Sequence, residues 1–258
     1  MRIWDINNNK EENIINESGR VFWILEFEKN KILCGTSGNY INLWDISNNK
    51  DICLYKYIGH ELWINALVKV NDNYFLSGSN DTKIIIWDYF NRKIISILKG
   101  HVDCILSLFL LKNNNLYSGS ADLTIRIWDW ENCECLSILK GHKKWVKCVF
   151  ELNNGIILSG SDDKTIKLWK NNINIETLVG HKHSVRTFCQ INDQYFASGS
   201  FDCTIKIWEI NNWKCIHTLK GHESNIICLI KLNSNNDNKN IIVSCSNDNS
   251  IKIWEINP

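Results

Sequence analysis

The sequence predicts an all-β fold built from repeated four-stranded antiparallel sheets, and three observations predict it. Tryptophans followed by Asp, Glu or Lys recur at Trp4, Trp44, Trp87, Trp128, Trp169, Trp208 and Trp254. Gly-His pairs ending at His60, His101, His142, His181 and His222 precede the last five of them. Near copies lie between, such as LSGSNDTKIIIWD, YSGSADLTIRIWD, LSGSDDKTIKLWK and ASGSFDCTIKIWE. From His60 to Trp87 is 27 positions, and the next three pairs repeat that spacing. The fifth is longer by a polar insertion, Asn233–Asn238, expected to be a mobile loop. A period of this size belongs to repeat architectures.

Each repeat reads as strands. In residues 143–179, Trp145–Phe150 is short and rich in β-formers, and Asn153-Asn154-Gly155 is a turn signal. Ile156–Ser159 is a second strand, and Asp162-Asp163-Lys164 turns into the alternating Thr165–Trp169. Asn171-Asn172 turns into a fourth strand, Ile175–Leu178. One such sheet cannot bury both of its faces alone. Radial stacking covers both faces and leaves only short edges, which is a β-propeller. The expected organisation is a single domain, residues 1–258, with repeats at 1–17 (partial), 18–58, 59–99, 100–140, 141–179, 180–220 and 221–258.

Composition narrows the function classes. Hydrophobic residues make up 44% of the 258, enough for a packed core. A formal net charge of +1 argues against a dedicated nucleic-acid binder. The eleven cysteines are odd in number, and Met1–Asp5 already reads as domain sequence rather than a secretion signal. The cysteines are therefore expected to be reduced, buried thiols of a cytoplasmic or nuclear protein. No apolar run is long enough for a membrane helix, so no membrane insertion is expected.

With Gly-His, Ser-Gly-Ser (or Ser-Cys-Ser), Asp and a late Trp in register five times over, the chain resembles the WD-repeat proteins, across essentially its whole length. Every full repeat also holds a Ser, a His and an Asp, the residue types of a hydrolase triad. The sets are His60/Ser77/Asp81/Trp87, His101/Ser118/Asp122/Trp128, His142/Ser159/Asp163/Trp169, His181/Ser198/Asp202/Trp208 and His222/Ser244/Asp248/Trp254. An enzyme needs one nucleophile, not five at identical spacing. The resemblance implies a structural relay instead, running from Trp indole to Ser, Ser to His and His to Asp, which satisfies polar groups the sheet must bury. Cys133-Glu134-Cys135 lacks a second pair at zinc spacing and reads as a hairpin turn. Gly35-Thr36-Ser37-Gly38 is a degenerate Ser-Gly-Ser turn. No catalytic, metal or cofactor site and no small-molecule substrate are expected.

The strand count is peculiar. Residues 2–7 read as a third strand and 12–16 as a fourth; five complete sets follow, and residues 224–256 supply three more. The chain is expected to form six blades, with residues 12–16 completing the last beside Ile251–Ile256 and residues 2–7 displaced. The alternative is an incomplete seven-bladed ring whose recorded start falls inside its first repeat. The place of Trp4-Asp5, where a repeat should end, favours that second reading of the biological protein. The first full repeat is degenerate, with Cys34 for Ser and Gly38 for Asp, and keeps only Trp44.

The resemblance places partner contacts on the face carrying the loops that enter each blade and the turns between second and third strands. In register these are Trp63, Asn65 and Asn80; Cys104, Leu106 and Ala121; Trp145, Lys147 and Asp162; Ser184, Arg186 and Phe201; and Asn225, Ile227 and Asn247. A looser alignment adds Arg20, Phe22 and Ser37. Aromatics and Arg dominate interface energies. Lys143, Lys144 and Lys147 neighbour Lys182, His183 and Arg186 in the next repeat, a basic sector suited to an acidic or phosphorylated peptide. The expected function is a non-catalytic scaffold or adaptor binding proteins or peptides within a multiprotein complex. One alternative is the substrate-recognition subunit of a ubiquitin ligase, any ligase-type domain then lying upstream of Met1. Another is an RNA- or chromatin-associated module, against which near-neutral charge and dispersed lysines count.

Overall fold

The computed structural model describes residues 1–5, 8, 10–47, 52–232 and 240–256. The Asn233–Asn238 insertion lies outside the described residues. Among those described, all regular structure is β-strand.

Strands β1 (Arg2–Asp5) and β2 (Lys10–Ile14) form a two-stranded sheet. Five four-stranded sheets follow, each in sequence order. The first holds β3 (Val21–Glu28), β4 (Lys31–Thr36), β5 (Tyr40–Asp45) and β6 (Ile52–Ile58). The second holds β7 (Ile64–Lys69), β8 (Tyr74–Ser79), β9 (Ile84–Asp88) and β10 (Lys93–Leu98). The third holds β11 (Ile105–Leu110), β12 (Leu116–Ser120), β13 (Thr124–Asp129) and β14 (Glu134–Lys140). The fourth holds β15 (Val146–Glu151), β16 (Ile157–Ser161), β17 (Thr165–Lys170) and β18 (Ile173–Val179). The fifth holds β19 (Val185–Gln190), β20 (Tyr195–Ser200), β21 (Ile205–Glu209) and β22 (Cys215–Leu219). A three-stranded sheet closes the sequence with β23 (Ile226–Leu232), β24 (Ile241–Ser246) and β25 (Ile251–Glu255).

Two ends of the expected strand plan differ. β2 pairs with β1, Arg2 opposite Ile14 and Asp5 opposite Lys10, rather than completing the last sheet. β25 is therefore the edge of its own sheet. The reason is proximity: a hairpin closes a short loop at small entropic cost, whereas pairing with β25 must close almost the whole chain. Burial differs too, because Ile205 and Ile207 pack against Ile226, Leu229 and Ile242 of the sheet that follows theirs. Ile205 and Ile207 on β21 are fully buried, while the matching Ile251 and Ile253 on β25 are about half exposed.

The chain divides into two compact units, one of residues 1–118 with 127–136, the other of 119–126 with 137–258. In the first, Phe27, Leu33, Ile41, Tyr57, Phe75 and Trp87 share one core cluster, and Leu76, Ile84, Leu108, Trp128 and Trp130 another. In the second, Leu158, Ile166, Leu168, Phe188, Phe196 and Trp208 pack together, and Ile191, Ile205, Ile226 and Ile242 form a neighbouring cluster. The middle strands carry this packing. The fourth strands β6, β10, β14, β18 and β22 bury little and show most side chains to solvent.

That exposure corrects the expectation of buried cysteines. Only Cys34, Cys148 and Cys189 are buried. Cys53, Cys135 and Cys215 stand exposed on fourth strands, Cys133 is exposed in the turn before β14, and Cys228 is exposed on β23. A run of β-forming residues does not reveal whether its strand is covered on two faces or on one.

Candidate functional site: the relays and the loop-bearing face

Each turn between the second and third strands is held in one way. The residue after the key Asp lies in the left-handed region: Thr82 (φ 70°), Leu123 (71°), Lys164 (73°), Cys203 (66°) and Asn249 (63°). A non-glycine residue there is disfavoured and needs outside support. The Asp supplies it: Asp81 Oδ1 accepts the Lys83 N–H at 3.0 Å, and Asp163 and Asp202 do the same for Thr165 and Thr204.

The other carboxylate oxygen reaches the entering loop. Asp202 Oδ2 accepts from His181 Nδ1 at 2.8 Å and from the Lys182 N–H at 2.8 Å. His181 Nε2 meets Ser198 Oγ at 2.7 Å, and Ser198 Oγ accepts the Trp208 indole N–H at 2.8 Å. Indole is a donor only, so the serine hydrogen goes to Nε2 and the imidazole carries its proton on Nδ1. Equivalent chains join Trp87, Ser77, His60 and Asp81; Trp169, Ser159, His142 and Asp163; and Trp254, Ser244, His222 and Asp248. In the third sheet Trp128 donates to Ser118 at 2.8 Å, and Ser118 meets His101 Nε2 at 2.6 Å. Asp122 there accepts from Thr124. All five serines are fully buried.

The electrostatics agree. Burial opposes ionisation of Asp81, Asp163 and Asp202, but hydrogen bonds from histidine and from neighbouring donors outweigh it and hold all three below the usual carboxylate range. For Asp248 the Ser250 hydroxyl has the largest effect, in the same direction. A depressed folded-state value means the contribution to stability is complete above the unfolded value, about 3.9, and is lost as pH falls through the folded one. The melting temperature is thus expected to hold down to about pH 5 and drop below it. Asp202→Asn should shrink that acid limb; an unchanged limb in thermal melts from pH 6 to 2 would show that these carboxylates do not control it.

The degenerate repeat holds a substitute absent from the sequence expectations. Trp44 Nε1 donates to Glu17 Oε2 at 3.1 Å, and Asn42 Nδ2 donates to both Glu17 oxygens at 2.8 and 3.0 Å. Glu17 stands 27 positions before Trp44, the His-to-Trp spacing of the other repeats, so the signal was present. A carboxylate there can accept directly from the indole, which makes the Ser unnecessary and leaves room for Cys34. Thr36 Oγ1 accepts the Gly38 N–H at 3.1 Å, as Ser79 Oγ accepts the Asp81 N–H.

The contact positions are joined by backbone. The residue before the key Asp donates its N–H to the carbonyl of the residue that enters the first strand: Asn80 to Trp63, Asp162 to Trp145, Phe201 to Ser184, and Asn247 to Asn225, at 2.9–3.0 Å. In the first unit Trp63 is 46% exposed and stacks on Phe22 at 5.3 Å. Asn65 is buried and bridges Asn80 Oδ1 and the Ile105 carbonyl, both at 2.7 Å, while Leu106 is half-buried.

In the second unit Trp145 is 47% exposed, with Lys147 Nζ 4.4 Å above its ring. Lys147 also pairs with Asp162 at 3.4 Å, and Arg186 Nη1 donates to the Lys147 carbonyl at 3.0 Å. Both cations are thus tied into the frame. Lys143, Lys144, Lys182 and His183 are exposed, and His183 stacks on Phe201 at 6.0 Å. Ile227 is half-buried. Among the described residues no cluster of three or more His, Cys, Asp or Glu is placed to hold a metal, and no helix is long and apolar enough to cross a membrane.

Comparison with known proteins follows the same repeats. The family "WD domain, G-beta repeat" matches residues 51–88, 92–129, 133–170, 173–209 and 213–255, more than half of the chain. A guanine nucleotide-binding protein subunit beta of Schizosaccharomyces pombe is 39% identical over 51 residues, a match spanning 20% of this chain and 17% of that relative. The crystal structure of the WD40 β-propeller domain of Doa1 superposes with a TM-score of 0.81 at 25% identity, over 93% of this chain and 80% of that one. The five sheets of four strands and the one of three are the blades of this fold. Repeat matches, relay geometry and superposition agree: the chain is a WD-repeat β-propeller and belongs to the WD-domain, G-beta-repeat family.

Proposed function

We propose that the protein is a non-catalytic scaffold that takes acidic or phosphorylated segments of partner proteins on the loop-bearing face of its second unit. One observation carries the reading. Trp145 is a large, rigid aromatic held half in solvent by a cation over its ring, with Lys143, Lys144 and Lys182 exposed around it. An aromatic anchor ringed by cations fits a peptide bearing carboxylates or phosphates. Lys147 and Arg186 serve as the frame: Lys147 lies over the anchor's ring and pairs with Asp162, and Arg186 donates to the Lys147 carbonyl. A place in a ubiquitin ligase is the same reading inside a particular complex.

The test uses the exposed cations, since reversing Lys147 beside Asp162 would also unsettle the fold. Trp145→Ala with Lys143→Glu, Lys144→Glu and Lys182→Glu is expected to keep the wild-type melting temperature. It should weaken binding to phosphorylated or acidic peptides on an array by at least about tenfold. Unchanged binding would place partner contacts elsewhere. In affinity purification with mass spectrometry, ligase subunits lost from the variant would assign the ubiquitin-ligase form of the proposal.

A further inference from the structure

All five four-stranded sheets carry a glycine in the middle of the second-strand turn motif: Gly119 in the third, and Gly35, Gly78, Gly160 and Gly199 in the others. At these last four a side chain would find little space. A Cβ would lie 3.0 Å from Ile64 Cγ2 at Gly35, 2.6 Å from Ile105 Cγ2 at Gly78, 2.8 Å from Val185 Cγ1 at Gly160, and 2.8 Å from Ile226 Cγ2 at Gly199. The last sheet breaks this pattern. Its turn reads Ser244-Cys245-Ser246, and Cys245 stands half-buried where each of the five four-stranded sheets has glycine.

Directly opposite Cys245 in the β23–β24 register is Cys228, which is exposed. Side chains of opposed antiparallel residues point to one face, with Cα atoms about 4.5–5.5 Å apart. A disulfide needs Cα atoms about 4.4–6.8 Å apart, so the ladder already holds both cysteines within bonding geometry. In the first, second, fourth and fifth sheets the matching opposed pairs are Trp23–Gly35, Ala66–Gly78, Cys148–Gly160 and Thr187–Gly199, none of which could cross-link.

We propose that Cys228 and Cys245 are a reversible dithiol–disulfide site, oxidised by hydrogen peroxide to a cross-strand disulfide within the last sheet. The roles of the two thiols differ. The Cys228 thiol, whose hydrogen bond goes to the Leu229 carbonyl at 3.8 Å, faces Cys245 across the ladder. The influence of Cys228 outweighs burial and brings Cys245 down to about 7, while Cys245 in turn holds Cys228 well above the usual thiol range. Of the two thiols Cys245 is the one favoured as thiolate, and a thiolate is the attacking form.

Its sulfur attacks one peroxide oxygen, the O–O bond breaks, and the departing hydroxide takes a proton and leaves as water, giving a sulfenic acid on Cys245. The Cys228 sulfur then attacks the Cys245 sulfur as its thiol proton goes to the departing hydroxide. The S–O bond breaks, the S–S bond forms, and a second water leaves. Two thiols lose two electrons and one peroxide gains them. A dithiol reductant reverses the change by exchange.

The experiment treats the full chain with substoichiometric hydrogen peroxide and maps peptides without reduction. A Cys228–Cys245 cross-linked peptide is expected, with free Cys245 disappearing about tenfold faster than exposed Cys53 or Cys215. Dithiothreitol should restore both thiols. Cys228→Ser should stop Cys245 at the sulfenic acid, captured by dimedone. Cys245→Ser should leave Cys228 unmodified, which separates attacking from resolving thiol. Oxidation spread evenly over Cys53, Cys133, Cys135 and Cys215 without the Cys228–Cys245 link overturns the proposal, as does wild-type protein whose Cys245 reacts no faster than those thiols.

Discussion

Trp208→Ala is expected to destabilise the protein by about 3–5 kcal/mol, read as a fall of roughly 10 °C in melting temperature. Trp208 is 3% exposed, lies in the core with Phe196 and Phe188, and stacks on Phe196 at 6.2 Å. Deleting it removes a large apolar surface, opens a cavity between strands that cannot collapse onto it, and strips Ser198 of its indole donor. Ser198→Ala separates these effects. It leaves the packing in place but orphans Trp208 Nε1 and His181 Nε2, an expected cost of about 1–3 kcal/mol. Trp4, 40% exposed on the two-stranded sheet, is the control, and its replacement should cost under about 1 kcal/mol. Equal losses for Trp4→Ala and Trp208→Ala in denaturant titrations would contradict the assignment of the repeated tryptophans to the core.

The second large effect is expected at Glu17. Glu17→Ala removes the common acceptor of Trp44 Nε1 and Asn42 Nδ2, both on side chains under 9% exposed. Leaving two buried donors without partners costs roughly 2–4 kcal/mol. Glu17→Gln keeps an acceptor oxygen and should recover much of the loss, because a neutral amide carbonyl can still take one of the two donors. A surface glutamate such as Glu176, exposed on β18, should tolerate alanine within about 0.5 kcal/mol. If Glu17→Ala behaves like Glu176→Ala, the carboxylate is not the stand-in for the missing histidine and serine.

The relay was legible because its parts are local. His181, Ser198, Asp202 and Trp208 lie within one repeat, so a constant spacing in sequence becomes a constant geometry in space. The same logic reached Trp63 and Trp145 as positions beside the turn, since loop and turn are tied there by backbone bonds, Asn80 to Trp63 and Asp162 to Trp145. Glu17 matches in spacing but not in residue type, and its role follows from an acceptor standing at that position rather than from a histidine. Lys147 and Arg186 were read as free cations for a partner. Lys147 pairs with Asp162 of its own repeat, whereas Arg186 donates to a carbonyl of the preceding sheet, a contact that no single repeat encodes.

What the sequence by itself determined is the repeated unit: four short antiparallel strands, the turn with its Asp, and the buried hydrogen-bond chain. Hairpin pairing and tight turns are decided by residues a few positions apart, and each repeat restates them. The tertiary structure alone decided three further things. It paired β2 with β1 and left β25 as an edge, because strand partners at the ends are chosen by competition between distant segments. It placed Cys53, Cys135 and Cys215 on fourth strands facing solvent, because coverage belongs to the sheet and not to the strand. It set Cys228 opposite Cys245, because register across a hairpin containing an insertion depends on the sheet's bulge and packing rather than on the count of intervening residues.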